Sequence, residues 1–193
     1  MDTENEMRLA YLIGLALGDG NLSNPNGRAT RLRITCDARY VRLAEDIKNV
    51  MRDVFPKNKV SLVPKGMKCF DISVYSNRLN AVMPWRVGKG PKGVQHARVP
   101  EWIRDNKIFS RECLRGLIQT DGCIYHDRGY LMINFVNNTY ELARDAHDML
   151  CALGYRPNFI TLPLDERRSK YTVRITRKSE SQRLLDELAL YKS

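Results

Sequence analysis

The chain has 193 residues, 43% of them hydrophobic and 28% charged, which is enough apolar material for one large core or two small ones sharing an interface and excludes a disordered composition. Its net charge of +10 is uneven: residues 28–68 hold eleven Lys/Arg against four acids, and residues 86–98 hold four Lys/Arg and no acid. No basic amphipathic helix accompanies that charge, so the expected partner is nucleic acid and not a membrane, and the longest apolar run, the nine residues 9–17, is too short to span a bilayer.

The acidic start, with Asp2, Glu4 and Glu6, resembles neither a signal peptide nor an Arg-rich transit peptide. The expected location is therefore where the chain is made, the cytoplasm or nucleoid of a prokaryote or an organelle that encodes it. Five cysteines with no Cys-x-x-Cys pair argue against structural zinc and a disulfide framework, and for a reducing compartment.

In chain order, the first element is an apolar helix over Leu12-Ile13-Gly14-Leu15-Ala16-Leu17-Gly18-Asp19-Gly20. The pattern returns 102 residues later as Leu114-Arg115-Gly116-Leu117-Ile118-Gln119-Thr120-Asp121-Gly122. An alternating strand follows each copy, residues 31–36 and 130–135, with Leu32, Ile34 and Cys36 matched to Leu131, Ile133 and Phe135 on the inner face. Next comes an amphipathic helix with the stripe Leu43, Ala44, Ile47, Val50, Met51 and Val54, repeated as Leu142, Ala143, Ala146, Met149, Leu150 and Leu153. Asp37 is positioned to cap the first of these helices, and Asn138 with Glu141 forms a capping box for the second. Two further strands follow in each half, residues 59–64 and 69–76, then 158–163 and 171–177. The halves close with helices over 77–83 and 179–190.

The fold class expected is α+β, two αββαββα repeats. The first repeat covers residues 1–84, the second 107–193, and a Gly- and Pro-rich connector covers 85–106.

Gly14 and Gly18, and likewise Gly116 and Thr120, lie four apart and so share a helix face made of small side chains. Two such faces let two helix backbones pack closely. If the motif helices pair in parallel about a pseudo-twofold axis, both Asp-Gly ends meet. Gly20 and Gly122 are then expected to stop the helices in the left-handed conformation. Asp19 and Asp121 would sit at negative helix ends and repel each other, so the place calls for a cation, and oxygen donors select Mg²⁺-like ions. A lone Asp-Gly is an ordinary turn, but two at equivalent places in a duplicated basic chain are a site.

These paired motifs, with a connector reading Gly90-Pro91-Lys92 and Val99-Pro100-Glu101-Trp102-Ile103, resemble the LAGLIDADG homing endonucleases in their single-chain, two-motif form. The string departs from the eponymous motif at Leu17 and Gln119. The resemblance implies a saddle of antiparallel sheets over the DNA major groove with the motif helices at its centre. It implies Asp19 and Asp121 as metal ligands, joined by the main-chain carbonyls of Gly18 and Thr120. Mg²⁺ is the expected ion, with Mn²⁺ substituting and Ca²⁺ binding without supporting cleavage. Lys92 looks like the family's basic residue near the cleavage centre, with Lys89 as the fallback and Lys192 as a weak counterpart in the second half.

The strand positions opposite the core would face double-stranded DNA. In the first half these are Arg31, Arg33, Thr35, Lys59, Ser61, Lys68, Asp71, Ser73 and Tyr75. In the second they are Tyr130, Met132, Asn134, Lys170, Thr172, Arg174 and Thr176. Arg can read guanine and Asn adenine, while the rest contribute phosphate affinity. The protein is expected to act as a monomer on a long asymmetric target. His96, His126 and His147 show no ligand spacing. Two rivals keep the fold: an intron maturase that binds RNA, and a DNA-binding regulator without catalysis, against which both acids count. A complete self-splicing domain has no room in 193 residues.

Overall fold

The computed structural model describes residues 2–66, 68–165 and 168–191. Lys192 lies outside the described residues. In the first half the elements are α1 (Thr3–Asp19), β1 (Gly20–Ser23), β2 (Arg31–Asp37), α2 (Val41–Val54), β3 (Val60–Lys65), β4 (Cys69–Tyr75) and α3 (Leu79–Val82). The connector holds one turn of helix, α4 (Glu101–Arg104). The second half repeats the order with α5 (Lys107–Asp121), β5 (Gly122–Asp127), β6 (Tyr130–Asn137), α6 (Tyr140–Ala152), β7 (Asn158–Pro163), β8 (Ser169–Ile175) and α7 (Lys178–Glu187). The αββαββα repeat read from the sequence is thus present twice.

Each half builds one antiparallel four-stranded sheet, ordered β1-β2-β4-β3 and β5-β6-β8-β7. Alternation decides which face is buried. Leu32, Ile34 and Cys36 on β2 pair with Val74, Ile72 and Phe70 on β4 and face inward. The equivalent inward pairs in the second sheet are Ile133 with Ile175 and Phe135 with Val173. Helices α2 and α6 lay their apolar stripes on these faces, with Leu43, Ala44, Ile47, Val50 and Met51 buried in one and Leu142, Ala143, Ala146, Met149 and Leu150 in the other. Residues 9–17 of α1 are all buried, which explains a helix apolar nearly all round: it lies at the centre of one core containing residues of both halves.

Three local expectations are corrected. Gly20 (φ −78°, ψ 147°) and Gly122 (φ −91°, ψ 166°) are extended, not left-handed, and are the first residues of β1 and β5. Glycine is required there by space, because a Cβ at either would overlap the carbonyl oxygen four residues back, that of Ala16 or Ile118. Asp37 does not cap α2: its Oδ1 accepts from the Arg39 backbone N–H at 2.9 Å, closing a turn before a helix whose N-cap is Tyr40. The Asn138–Glu141 capping box is absent as well. Asn137 Oδ1 accepts from the Thr139 N–H at 2.8 Å, and Glu141 pairs with His96 at 2.7 Å.

The strand equivalence also shifts by two residues, which preserves the face. Gly20 pairs with Ile34 and Gly122 with Phe135, so Cys36 occupies the register of Asn137 and not that of Phe135.

Candidate active site at the paired helix ends

Helices α1 and α5 run side by side in parallel, and the expected small-residue positions are the contact. A Cβ on Gly14 would overlap the Cys113 carbonyl, and one on Gly116 would lie 2.6 Å from the Leu15 nitrogen and the Tyr11 oxygen. Near the helix ends, a Cβ on Gly18 would overlap the Thr120 side chain and come within 3.5 Å of the Asp121 carboxyl carbon. Backbone touches backbone because these positions lack side chains. The parallel match of residues 14, 15 and 18 with 113, 116 and 120 brings both Asp-Gly ends to one pole.

Asp19 is exposed at this pole and Asp121 half-buried. Asp121 Oδ2 accepts from the Asn137 amide at 2.7 Å. The pseudo-equivalent neighbour of Asp19 is Cys36, whose thiol is pushed up to about 11 by burial, with Asp19 the next largest cause. Neither α1 nor α5 carries a basic residue in its last turn, so the negative ends of both dipoles need a cation from elsewhere.

At α1 that cation is Lys92. Its Nζ donates to the carbonyls of Ala16 (3.1 Å), Leu17 (2.6 Å) and Gly18. Burial brings this lysine down to about 8, against the upward pull of Asp121 and then Asp19, so the ammonium is close enough to both carboxylates to sense them. Lys92 therefore lies at the pole, with its ammonium taken up by main-chain oxygens, including that of Gly18. Thr120, the matching residue on α5, donates its hydroxyl back to the Gly116 and Leu117 carbonyls at 2.9 and 3.1 Å. Lys89 is exposed.

The connector is held so that Lys92 can reach. The Ala97 N–H donates to the Lys92 carbonyl at 3.0 Å, and Asp145 of α6, only 1% exposed, accepts from Arg98 at 2.6 Å and from the Val99 N–H at 2.9 Å. A buried carboxylate with a guanidinium and an amide fully engaged is a firm clamp.

The pole offers two carboxylates, main-chain carbonyls and one amide side chain. Among the described residues no three His, Cys, Asp or Glu side chains gather as a metal cage. Two carboxylates with main-chain carbonyls are hard oxygen donors of the kind that suits Mg²⁺, which rarely takes an all-protein cage.

The sheet faces opposite the core differ between halves. On the first, Arg31 donates to Ser23 Oγ at 3.1 Å and lies 5.9 Å over the Tyr75 ring. Asp71 accepts from Thr35 at 2.7 Å and pairs with Arg33 at 3.6 Å and Lys65 at 3.9 Å, so it holds the basic side chains in place. Ser61 and Ser73 are paired neighbours on this face, with Lys59, Lys68 and Tyr75 exposed around them.

On the second, Asn134 is 5% exposed. Its Oδ1 accepts from Arg174 Nε at 3.0 Å and its amide donates to the Tyr125 hydroxyl at 3.3 Å. Asn134 is thus covered, and props up the arginine above it. Thr172, Arg174 and Thr176 are half-buried along the face, as is Met132, and Lys170 and Tyr130 are exposed.

Sequence reasoning gave no bounds for the first strand of each sheet, and it placed the edge strand of the second without its outward residues. Asn21 and Ser23 on β1 pair with Arg33 and Arg31, and Tyr125 on β5 pairs with Met132. Ile160 and Leu162 on β7 pair with Thr172 and Lys170 on the outer face and are 40% and 56% exposed. The available signal for β1 was the alternation of Gly20-Asn21-Leu22-Ser23 directly after the motif. The run 158–163 has apolar residues at both parities, so its outer face was not legible. Asn137 and Cys36 were missed because their role depends on the strand register.

Comparison with known proteins agrees with this architecture. Residues 109–189 match the family model described as a LAGLIDADG-like domain. A structure of mesophilic variants of the homing endonuclease I-DmoI superposes with a TM-score of 0.67 at 19% identity, covering 97% of this chain and 98% of that one. I-DmoI in complex with DNA and Mn gives 0.67, also at 19%, covering 98% and 99%. Full-length DUF199/WhiA from Thermatoga maritima gives 0.66 at 13%, covering 97% of this chain and 57% of that one. Among curated proteins, the chain is 25% identical to the replicative DNA helicase DnaB of Rhodothermus marinus, over 96% of its own length and 20% of the helicase. It is also 25% identical to the ribonucleoside-diphosphate reductase NrdEB subunit alpha of Bacillus subtilis, over 86% of its own length and 16% of that protein. The chain therefore spans a fifth or less of these curated relatives.

Proposed function

We propose that this chain, which carries a LAGLIDADG-like domain over residues 109–189 and the two-repeat LAGLIDADG fold over its whole length, is a site-specific endonuclease that hydrolyses both strands of a DNA duplex with a divalent metal. The observation that carries the proposal is the convergence of Asp19 and Asp121 at the ends of two helices packed backbone to backbone. The fold alone does not carry it, since WhiA shares the fold to the same degree.

Asp19, Asp121 and the carbonyls of Gly18 and Thr120 would hold the ion. Mg²⁺ is the natural occupant, with Mn²⁺ in its place and Ca²⁺ as a binding but non-supporting ion. Bound there, the ion would polarise an attacking water and stabilise the leaving oxygen of the phosphodiester.

The chain's own residues do the rest. The paired helices bring the two carboxylates to one pole, where a duplex backbone would reach both. Asn137 holds the Asp121 carboxylate in place through Oδ2. Lys92 brings positive charge to the pole, beside where charge develops on the phosphate. The outer faces of the two sheets, with Arg31, Arg33, Lys59, Lys68, Lys170 and Arg174, supply phosphate contacts and base contacts in the major groove. We assign residues 1–84 and 107–193 to the two half-sites, each of about one turn of DNA, with the connector 85–106 delivering Lys92. One chain supplies both centres, so a monomer suffices.

The test is selection of a cleavable duplex from a randomised pool with Mg²⁺, followed by cleavage of that duplex by the Asp19→Asn and Asp121→Asn variants. Cleavage by the parent, with each variant still binding but not cutting, supports the proposal. Binding without cutting by the parent, or cutting that survives both substitutions, removes it. Preferential binding and splicing of a structured RNA would install a maturase in its place.

A further inference from the structure

We infer that Lys92 is the resident cation of the acidic pole, holding the Gly18 carbonyl oxygen that a divalent ion would use, so that metal binds there by displacing the lysine. The inference rests on the metal site proposed above and concerns what fills it beforehand.

The case begins with the helix end. Helix α1 closes with no basic residue in its last turn, and its Ala16 carbonyl already accepts the Gly20 N–H. The next carbonyls, of Leu17 and Gly18, lack the partners an interior helix residue would have. Two carboxylates lie nearby, so the local potential is strongly negative. Lys92 answers this from 74 residues away, with its ammonium on the carbonyls of Ala16, Leu17 and Gly18. An ammonium has three donors, and all three find oxygen here. Burying such a group is costly unless the surroundings are negative, so its presence measures the potential that would also attract a metal.

The position is not incidental to chain packing. Trp85 lies 5.5 Å from Nζ, and the connector is locked by Asp145 through Arg98 and Val99, so the lysine is aimed at this spot from a fixed base. Helix α5 receives no such lysine among the described residues; its Asp121 is held instead by Asn137. An ammonium and a divalent ion cannot share the Gly18 oxygen, since they would repel at hydrogen-bond range in a partly buried site. With the lysine in place the negative charge of the pole is partly offset without metal. With metal in place the lysine is released beside it, where a phosphate would arrive.

Two measurements test this without DNA or turnover. The first is calorimetric titration of Ca²⁺ into the metal-free parent, Lys92→Met, Lys92→Arg and Asp121→Asn, with thermal melting of each. Lys92→Met is expected to bind Ca²⁺ on the order of tenfold more tightly than the parent, because a competing charge is gone. Its metal-free melting temperature should fall, and added Ca²⁺ should restore more of it than in the parent. Lys92→Arg should stay close to the parent in both respects. Equal or weaker Ca²⁺ binding by Lys92→Met, while Asp121→Asn abolishes binding, overturns the displacement idea and leaves the metal site standing. Absence of Ca²⁺ binding in every form, Lys92→Met included, overturns both.

The second measurement uses the parent alone and so does not depend on a variant folding. Lysine acetylation followed by mass spectrometry should find Lys92 protected and Lys89 reactive without metal, with Ca²⁺ raising the reactivity of Lys92 and leaving Lys89 unchanged. Protection of Lys92 that Ca²⁺ does not alter contradicts the inference.

Discussion

The two halves share a backbone and differ in what they place on it. Around the pole, the register that carries Asn137 onto Asp121 in the second half carries Cys36 alongside Asp19 in the first. The helix end beside Cys36 is the one whose carbonyls receive Lys92. On the outer sheet faces, the first half sets Arg33 and Lys65 around Asp71 and Arg31 beside Tyr75, while the second sets one propped arginine on a face that also carries Met132, Tyr125, Ile160 and Leu162. The lesson is that backbone symmetry is imposed by the helix pair, whose close approach tolerates no side chain at Gly14 or Gly116, whereas chemistry has diverged wherever the backbone leaves room. On the proposed function, that divergence would give two unequal reaction centres and two unequal half-sites.

The comparison can be broken most severely at the acids, the feature both halves keep. Asp121→Asn and Asp19→Asn should each lower double-strand cleavage by at least about a hundredfold while leaving duplex binding in place, as read by gel cleavage and mobility shift on the selected target. A variant that retains full cutting would mean that only one half is a reaction centre.

The helix seam comes next. Gly14→Ala drives a methyl into the Cys113 backbone, which cannot move away, and should cost about 2–3 kcal/mol in urea unfolding. Gly18→Ala meets a side chain instead, so Thr120→Gly in the same molecule should recover part of its loss. Equal and unrecoverable losses at both sites would show the seam to be rigid at the pole as well.

The unequal neighbours of the two acids should be visible in strand preference. Asn137→Ala is expected to slow cleavage by about tenfold, with one strand affected more and nicked plasmid accumulating, by loosening the Asp121 carboxylate. Cys36→Ala should leave the cutting rate nearly unchanged and cost about 1 kcal/mol of stability through lost packing. If both substitutions slow the same strand equally, the two centres are not distinct.

The smallest effects belong to the sheet faces. Asn134→Ala should lose about 1–2 kcal/mol of discrimination at the single base pair beneath Arg174, as Arg174→Ala does, because the asparagine acts by holding the guanidinium. Lys59→Ala and Lys170→Ala should weaken binding on all sequences alike and each lower the salt slope by about 0.9. A sequence-specific effect at either lysine would reassign it to base readout.

The order of elements was legible because duplication writes each apolar stripe twice, and 3.6- and 2-residue periods survive divergence. The paired acids were legible for the same reason. The helix caps were not: Asp37 and Asn138 have the right side chains, but the Asx turn at Asp37 and the His96 contact to Glu141 use those groups before the helix can. The left-handed expectation at Gly20 and Gly122 failed because glycine serves there to admit a neighbouring carbonyl, a need set by the chain folding straight from helix into strand. Asn134 was legible as a face residue but not as a buried prop, since that depends on Tyr125 across the strand pair. The Lys92 contact to α1 joins residues 74 to 76 apart and has no periodic signature at all.

The most direct test is anomalous diffraction from Mn²⁺ in crystals of the protein bound to its selected duplex. We expect manganese at the pole, within ligand distance of both Asp19 and Asp121, with the phosphate backbone of the duplex against it and Lys92 no longer on the Gly18 carbonyl. Manganese found only at outlying surface carboxylates, with the two aspartates turned away from each other and from the DNA, would contradict the account.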